Sequence, residues 1–549
     1  MRPESKIDKL ANELVKTLAK NYPSFATSIG FPGGERELDD HSPEALERDY
    51  QLAKDTIAKL KTLPVEDFVD EVTLDAMVQS LSSEIAIHES GMVYRNLNNI
   101  ASPAQGVRDT FDLTPTDTVE NWVDISYRLR KVAASLEGYQ RTLDIGFESG
   151  DAPAKRQVEV VIEQIKQIVD GKFFESFVER AKPELSEELK TDLMAAAKEA
   201  SAGYQEFSEY LVRSLPKANP EDAIGRERYA ILSERFLGAK VDLDETYQWG
   251  IEELARVVAE QQAVANEILP GATIEEAIEH LDKDPSNKLH STDELKAWMQ
   301  ELSDQAIEDL GKTHFDIAEP LRELECMIAP TQSGVIYYTG PSDDFSRPGR
   351  MWWSVPEGVT EFDTWRETTT VYHEGVPGHH LQVAQATYVR DTLNDWRRLA
   401  SWTSGHGEGW ALYAERLMDE LGYLKTPADR FGMLDAQRMR AARVVLDLGV
   451  HLGKPKLDGT GKWDFDYALN FMLENVNMPP EFVKFEVTRY FGWPGQAPSY
   501  KIGQRIWEQI RDEYKTKKGE SFNMKEFHTT ALNLGGLGLD TLKRVMAKA

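Results

Sequence analysis

The feature that most constrains the fold is a long succession of helical patterns between residue 5 and about residue 320. These segments are rich in Ala, Leu, Glu and Lys, and short turns containing Pro, Gly or Asn separate them. Strand patterns, in which apolar and polar residues alternate, are scarce. The sequence therefore predicts a mainly α protein. The predicted helices cover residues 7–20, 43–60, 67–90, 117–147, 154–169, 186–214, 243–269 and 291–311.

The pattern changes after Leu321. Short segments that favour β-structure lie at residues 325–330, 334–338 and 351–355, and the turn-rich run PSDDFSRPGR precedes the third. They predict a small antiparallel sheet. An edge strand of this sheet could hold an extended substrate by backbone hydrogen bonds, with Tyr338 as a candidate substrate contact. A hairpin that only packs on the next helix explains the pattern equally well.

The candidate chemistry is concentrated in the segment 364–382, TWRETTTVYHEGVPGHHLQ. Thr364 and Glu367 form a capping-box pattern, which predicts a helix that carries His373 and Glu374 in its interior. In the metalloprotease motif HExxH, two His one turn apart bind zinc and the Glu acts as general base. Here the position of the second His is taken by Pro377.

The next two His residues lie beyond this proline. On an ideal helix His379 is rotated about 120° from His373, and His380 returns to the same face about 10 Å along the axis. Neither would complete a zinc site on a straight helix. Pro377 and Gly378 favour a local bulge, which would return His379 to the ligand position, with His380 as the alternative. A helix end followed by unrelated loop His residues is the simpler interpretation.

A second predicted helix, in SGHGEGWALYAERLMDEL, supplies the third candidate ligand. Glu408 follows His379 by 29 residues, enough for the chain to turn and return across the first helix. Its carboxylate would complete a three-ligand zinc site with an open position. Glu415 is the alternative ligand or a partner for a ligand His. His406 is expected to line the cleft.

Two further segments carry candidate polar residues. Arg443, Asp447 and His451 recur at helical spacing within an apolar helix, so we expect them to be buried. Arg443 and His451 are candidates for lining the cleft, and His451 is also a candidate for a catalytic role. The last segment, RYFGWPGQAPSYKIGQRIW, adds a Tyr that could donate to an oxyanion and cations that could bind a substrate carboxylate. These candidates are Tyr500, Lys501 and Arg489.

The composition excludes some classes of partner. The chain has 93 acidic and 63 basic residues, and a formal net charge of −30 repels the phosphates of nucleic acids. No segment approaches 18 uncharged apolar residues, so we expect no membrane span. The single cysteine, Cys326, and the absence of an apolar signal-peptide core predict a cytoplasmic location. The sequence does not indicate an oligomeric state.

Four blocks, HEGVPGHHLQ, HGEGWALYAE, RVVLDLGVH and PGQAPSYKIG, occur in this order and spacing. They resemble the bacterial and fungal proteins grouped as domain of unknown function 885, over essentially the whole chain. That family is similar to gluzincin metallopeptidases such as thimet oligopeptidase, neurolysin and angiotensin-converting enzyme. The resemblance implies a large helical body with a deep central cleft. It also implies that His373 and Glu408 bind zinc, Glu374 acts as base and Tyr500 stabilises the transition state, although Pro377 departs from the relatives' HExxH pattern.

The sequence therefore predicts a zinc-dependent peptidase that acts on short peptides. We expect a single unit over residues 1–549, with an N-terminal helical part at 1–320 and a catalytic part at 321–549. One alternative is a zinc amidase that acts on a non-ribosomal or cell-wall fragment. The other is a helical binding protein whose altered motif no longer holds zinc.

Overall fold

The computed structural model describes residues 2–182, 184–329 and 336–549. Within these ranges the chain forms 23 α-helices and five short strands, which confirms the mainly α class. None of the helices in the described ranges has both the length and the hydropathy that crossing a membrane would require.

Fourteen helices make up the chain before residue 320, and many begin at side-chain caps. The hydroxyl of Ser5 accepts from the backbone of Asp8, and Thr273 and Glu276 form a reciprocal capping box. These helices are α1 (Lys6–Asn21), α2 (Pro23–Ile29), α3 (Pro43–Leu60), α4 (Phe68–Glu89), α5 (Pro103–Leu113), α6 (Val119–Leu129), α7 (Val132–Ser149), α8 (Lys155–Asp170), α9 (Phe173–Glu179), α10 (Glu187–Ser214), α11 (Arg226–Leu237), α12 (Leu243–Ile268), α13 (Ile274–Lys283) and α14 (Thr292–Thr313).

The rest of the chain contains nine helices and most of the strands. The helices are α15 (Thr364–Glu374), α16 (His379–Tyr388), α17 (Ser404–Glu420), α18 (Pro427–His451), α19 (Phe465–Asn475), α20 (Pro480–Gly492), α21 (Ser499–Lys518), α22 (Met524–Leu532) and α23 (Leu539–Lys548). The strands are β1 (Lys288–Leu289), β2 (Leu324–Ile328), β3 (Ile336–Thr339), β4 (Gly349–Trp353) and β5 (Phe362–Asp363).

The predicted small sheet is present next to α15 and α16, and its strand order is β2-β4-β3. β3 and β4 pair antiparallel, as predicted, but β2 and β4 pair parallel. The chain reverses direction twice, from β2 to β3 and from β3 to β4, so β4 returns in the direction of β2. β3 is therefore an edge strand, paired with β4 alone among the described strands.

Buried apolar side chains form two clusters. The smaller cluster lies within residues 97–218 and consists mainly of α5 to α10. The larger cluster combines α1, α4 and α11 to α14 with the sheet and the C-terminal helices. It therefore extends across residue 320, and the helices before that position help to support the segments that carry the candidate site.

The helices of the candidate site are held by unusually close backbone contacts. α15 lies directly on α18, where a Cβ atom on Gly432 would come within 1.8 Å of the carbonyl oxygen of Trp365. α17 lies on α21, where a Cβ atom on Gly409 would come within 2.5 Å of the carbonyl carbon of Gly503. Only glycine allows these approaches, so the relative positions of the helices are fixed by backbone contact.

We predict that Gly432→Ala lowers the stability of the protein. The added methyl group must push α15 away from α18, and overpacking of this kind costs about 1–3 kcal/mol. The control is Gly106→Ala in α5, where an added Cβ atom meets nothing within 4 Å. That variant should be stabilised by about 0.5–1 kcal/mol, because alanine favours the helix. Thermal unfolding of both variants checks the prediction, and a stabilised Gly432→Ala protein would contradict it.

Candidate metal centre

The segment between the two His residues of the motif breaks the helix completely. α15 ends at Glu374, and Gly375 takes a φ of −92° and a ψ of −122°, outside the helical region. The Val376–Pro377 peptide bond is cis. A new helix, α16, begins at His379. The sequence predicted a bulge within one helix, whereas the structure has two helices joined by the break 375–378.

Hydrogen bonds hold this break against the preceding turn. The amide of Gly378 donates to the carbonyl oxygen of Tyr372 at 3.0 Å. The indole of Trp410 on α17 donates to the carbonyl oxygens of Pro377 and Gly378, at 3.0 and 3.1 Å. A Cβ atom on Gly378 would lie 1.9 Å from the carbonyl oxygen of His373, so only glycine fits here.

The break brings together His373, His379 and Glu408, three of the predicted metal ligands. One donor atom from each lies within 4.8 Å of the others, and no other such group occurs in the described parts of the chain. Nε2 of His373 and Nε2 of His379 lie 3.4 and 3.5 Å from Oε2 of Glu408. A tetrahedral zinc ion with ligand distances of about 2.0–2.2 Å would separate its donors by roughly 3.3–3.6 Å. These residues therefore fit a zinc ion.

Glu415 lies behind His373 and orients its ring. Nδ1 of His373 is 2.7 Å from Oε1 of Glu415, and the hydroxyl of Thr369 donates to Oε2 at 2.9 Å. A carboxylate in this position holds the proton on Nδ1 and leaves Nε2 free to bind a metal. Of the two roles predicted for Glu415, alternative ligand or partner of a ligand His, the structure places it as the partner of the candidate ligand His373.

The electrostatics of the group favour a positive charge. Burial alone would lower the pKa of His373, but hydrogen bonds to Glu408 and Glu415 raise it to about 10. Burial opposes ionisation of Glu408, yet His379 and His373 hold its pKa below the usual range. The two carboxylates therefore stabilise positive charge at this point, either on a protonated ring or on a bound cation.

His380, the alternative second ligand, is committed to other contacts. Its Nε2 lies 2.8 Å from the carbonyl oxygen of Leu321, and its Nδ1 lies 3.0 Å from the hydroxyl of Tyr338. Burial lowers the pKa of His380 to about 4, so the ring is neutral at pH 7, donating through one nitrogen and accepting at the other. Neither nitrogen is left for a metal ion.

The candidate ligands line a cavity of about 400 Å³, which we call the metal cavity. Its walls come from β3, α15, α16, α17, α18 and α21. Its lining residues are Ile336, Tyr337, Tyr338, Gly340, His373, Glu374, His379, Val383, Trp402, Glu408, Arg440, Arg443 and Tyr500.

Glu374 lies next to His373 and lines the same cavity. Its side chain is buried, and burial raises the pKa of its carboxyl group, with His379 and His373 opposing the shift. No described residue forms a hydrogen bond with this carboxyl group in the structure. A carboxyl group of raised pKa beside a metal site is suited to accept and return a proton.

Tyr500, Arg440 and Arg443 line the same cavity as these ligands. Burial and the nearby charge of Glu408 raise the pKa of Tyr500 to about 12, so its hydroxyl keeps its proton at neutral pH. No described residue accepts a hydrogen bond from this hydroxyl. The guanidinium of Arg440 has no carboxylate within 4.0 Å in the described chain. These walls therefore offer hydrogen-bond donors and positive charge to a ligand.

Arg443 is held in place by a buried polar network. Its Nε donates to the hydroxyl of Tyr490 at 2.7 Å, and its Nη2 donates to Glu486 at 2.7 Å. The guanidinium carbon lies 5.4 Å from the centre of the Tyr500 ring. Arg489 binds the other side of Glu486 at 3.0 Å. The network therefore fixes Arg443 beside Tyr500 at the cavity wall.

Three predicted site residues lie outside the metal cavity. Lys501 forms an ion pair with Glu253 at 2.9 Å on another face of α21, because successive residues of a helix point about 100° apart. Arg489 is occupied by Glu486 and Gln496. His451 is fully buried and its Nε2 lies 2.9 Å from the carbonyl oxygen of Tyr490. The structure therefore corrects their placement: these side chains support the site's surroundings and do not line it.

Arg440 and Trp402 are among the residues of the cavity wall that sequence reasoning missed. Arg440 precedes Arg443 by three residues on α18, so the helical spacing that selected Arg443 also indicates Arg440. Trp402 belongs to a cluster of six Trp residues between 352 and 410, but nothing in the sequence distinguishes it from its buried neighbours. It is 53% exposed, and its ring centre lies 6.3 Å from that of His379.

Asp447 anchors the loop that precedes Tyr500. It is fully buried, and its Oδ2 accepts from the hydroxyl of Tyr229 at 2.7 Å and from the amide of Gly495 at 2.9 Å. Gly495 has a φ of +83°, a conformation that favours glycine. Burial raises the pKa of Asp447 to about 7, although these hydrogen bonds oppose the shift.

The comparisons with known proteins agree with this fold. The sequence pattern of a family described as "Bacterial protein of unknown function (DUF885)" matches residues 23–546. No curated protein sequence shows significant similarity to the chain.

Two solved structures share the fold over the whole length. A predicted lipoprotein from Colwellia psychrerythraea is 22% identical, with a TM-score of 0.85 over 99% of this chain and 98% of that chain. A predicted lipoprotein of unknown function from Shewanella oneidensis is 18% identical, with a TM-score of 0.76 over 99% and 100%. A carboxypeptidase from Pyrococcus furiosus has a TM-score of 0.29, which is too low to indicate a shared fold.

We predict that the contribution of Asp447 to the stability of the protein falls as the pH rises from about 4 to about 7. In the folded protein Asp447 keeps its proton until about pH 7, whereas in the unfolded chain it ionises near pH 4. At this position the folded state binds more protons in this window, so the share of the free energy of unfolding that Asp447 contributes decreases with pH. Asp447→Asn cannot ionise and should flatten this dependence.

The measurement is the thermal unfolding of wild type and Asp447→Asn between pH 4.5 and pH 8. The exposed variant Asp55→Asn controls for the general effect of removing a negative charge. Parallel pH curves for wild type and Asp447→Asn would contradict the prediction.

Proposed function

The chain belongs to this bacterial family of unknown function, and from its metal cavity we propose that it is a zinc-dependent hydrolase of amide bonds in short peptides. The observation that carries the proposal is the group formed by His373, His379 and Glu408, with Glu374 beside it. Two imidazoles and one carboxylate form a common ligand set of catalytic zinc sites, which keep a further position open.

A zinc ion held by these residues would supply Lewis acidity and lower the pKa of a bound water toward 7. Glu374 would accept a proton from the attacking water and transfer it to the nitrogen of the leaving amine. Its raised pKa suits both transfers, because the group must alternate between its two protonation states near neutral pH.

Donors on the wall of the metal cavity would stabilise the negative charge that develops on the carbonyl oxygen. Tyr500 has a protonated hydroxyl without a described partner, and Arg443 is fixed beside its ring. Donors that are oriented before the reaction stabilise such a charge most effectively, because they need no reorganisation. Arg440 adds a second positive charge to the same cavity.

The edge strand β3 favours an extended peptide as the substrate. Ile336, Tyr337 and Tyr338 line the metal cavity, and one side of β3 pairs with no described strand. An added strand could pair with this side through backbone hydrogen bonds, which are independent of the substrate's sequence. The hydroxyl of Tyr338 is bound to His380, so this residue would contact a substrate through its ring.

The arrangement resembles that of gluzincin metallopeptidases, which also combine a His-Glu helix with a Glu ligand from a later helix. This similarity supports the proposal at the level of chemistry, because the ligand types and their order along the chain agree. Short peptides as substrates and a cytoplasmic location are part of the same proposal.

We predict that His379→Asn abolishes tight zinc binding, whereas His380→Asn retains it. His379 presents its Nε2 to the ligand group, while both nitrogens of His380 bind other groups. The measurement is the zinc content of each folded variant after dialysis against a trace of free zinc, with circular dichroism as the check of folding. Zinc loss from His380→Asn and retention by His379→Asn would reverse the assignment.

We predict that Glu374→Gln retains zinc but hydrolyses peptides at least about 100-fold more slowly, because an amide cannot act as the base. A mixed oligopeptide library, analysed by mass spectrometry, provides the substrates. The matched control is Glu367→Gln, which makes the same substitution seven residues earlier on α15 and outside the lining of the metal cavity.

The outcomes separate the alternatives. Equal cleavage by wild type and Glu374→Gln would remove Glu374 as the base. An intact library with zinc bound to wild type would favour the amidase. Purified protein that takes up no zinc would favour the binding protein.

A further inference from the structure

A second cavity adjoins the metal cavity. This cavity of about 730 Å³, which we call the second lobe, shares Gly340, Val383 and Trp402 with the metal cavity. The two cavities therefore meet at a wall formed by these three residues. Trp402, which is 53% exposed, forms part of this shared wall, so a ligand at the metal centre lies next to the second lobe.

The helices that supply metal ligands also supply polar residues to the second lobe. α16 carries His379 in the metal cavity and Gln382 in the second lobe, and α17 carries Glu408 and His406 in the same way. Three residues along a helix correspond to about 4.5 Å. An extended peptide advances about 3.3–3.6 Å per residue, so the near wall of the lobe, at Gln382 and His406, is within reach of one to three residues beyond the cleaved bond.

The second lobe is lined by a buried cation without a counter-ion. Arg397 is 1% exposed, and within residues 2–182, 184–329 and 336–549 no carboxylate lies within 4.0 Å of its guanidinium. Its Nη2 donates to the carbonyl oxygen of Leu534, and its Nε has no partner there. The nearby Asp8 is bound to Arg2 and to Asn394. An unpaired buried charge is strongly destabilising, so the site is suited to an anion from outside the chain.

A second unpaired donor lies in the same wall. Nε2 of His406 is buried and has no partner among the described residues. The side-chain nitrogen of Gln382 lies 3.4 Å from Nδ1 of His406 and 3.3 Å from the backbone carbonyl oxygen of His406. Since this nitrogen is a donor, Nδ1 is the acceptor, and the proton of the neutral ring is on Nε2. Arg397 and His406 therefore offer two N–H groups that no described residue satisfies.

The other charges of the second lobe do not cancel this cation. Arg398 is neutralised by Asp343 and by Asp395, the latter at 3.0 Å. Arg347 donates to the carbonyl oxygens of Gly340 and Pro348 and, like Arg397, has no carboxylate within 4.0 Å in the described chain. The lobe is thus positive within a chain whose formal net charge is −30.

We propose that the second lobe binds a carboxylate of the substrate through Arg397, with His406 as a second donor. This inference rests on the proposed function for the reaction, and it defines the substrate class as peptides with a carboxylate one to three residues from the cleaved bond. The carboxylate belongs either to the C-terminus or to an acidic side chain. Burial lowers the pKa of Arg397 to about 9, which leaves the guanidinium charged at neutral pH.

The test measures binding separately from cleavage. Zinc-loaded Glu374→Gln protein is titrated by calorimetry with N-acetyl-pentaalanine that ends in a free carboxylate or in a carboxamide. We expect the free acid to bind about 10- to 100-fold more tightly, as for a charge-assisted hydrogen bond in a buried site. A third peptide, with a C-terminal carboxamide and a penultimate Glu, distinguishes the two sources of carboxylate, because it recovers the affinity only if an acidic side chain is bound.

Variants assign the effect to Arg397. Adding Arg397→Gln should remove the preference for the acid, and Arg397→Lys should restore part of it. The matched control is Arg398→Gln, which removes a neighbouring arginine that is already paired and should keep the preference. Equal affinity of all three peptides for the Glu374→Gln protein, before any change at Arg397, would overturn the inference, even if Arg397→Gln does not fold. A folded Arg397→Gln protein that still prefers the acid would overturn it as well.

The two proposals fail in different ways. Preferential binding of the acid without cleavage of any peptide by wild type would support the second lobe and refute the peptidase. Cleavage of all three peptides at equal rates by wild type would support the peptidase and refute the role of the second lobe.

Discussion

The candidate site depends on one interruption of the backbone, the break at residues 375–378. Without it, His373 and His379 would lie on different faces of a helix and could not approach the same point. The break is stable because Trp410 satisfies two of its carbonyl oxygens and because Gly378 permits close contact with the preceding turn. The residue that stabilises the break also belongs to α17, the helix that carries Glu408. One contact therefore both shapes the His pair and positions the acid.

Around this break, the polar residues support one another in pairs. Glu415 orients His373 from behind, and Glu486 holds Arg443 at the cavity wall with Arg489 on its other side. Buried charges of this kind are tolerated only when each has partners, so removing one member leaves another unsatisfied. Residues that do not line the cavity are thus needed to keep the lining residues in place.

Local sequence patterns predicted the parts of the structure that depend on local geometry. The mainly α class and the small sheet are confirmed. The structure also brings together the His-Glu motif and Glu408, because the 29 residues from His379 to Glu408 allow one return of the chain. The helix begins at Thr364 as predicted, but its hydroxyl donates to the carbonyl oxygen of Asn287 and does not cap the helix.

Tertiary contacts decided what the sequence could not. Tyr500 and Lys501 are adjacent, and only the packing of α21 shows which of them lines the cavity. The parallel pairing of β2 with β4 joins segments more than twenty residues apart, so no local signal reveals it. Arg397 lies in an unremarkable polar stretch of sequence, and only its burial without a counter-ion distinguishes it.

The close approach of α17 and α21 limits how the cleft can open. Gly409 follows Glu408 directly, and Gly503 lies one helical turn after Tyr500. The two backbones therefore touch close to the residues that carry the carboxylate of Glu408 and the hydroxyl of Tyr500. A packed backbone contact has no side chain that can rotate to make space, and these two walls of the cavity must move as one body. Any widening that admits a chain must therefore come from the other walls, among them the sheet, where β3 pairs with a single described strand and contacts α16 through Tyr338 and His380.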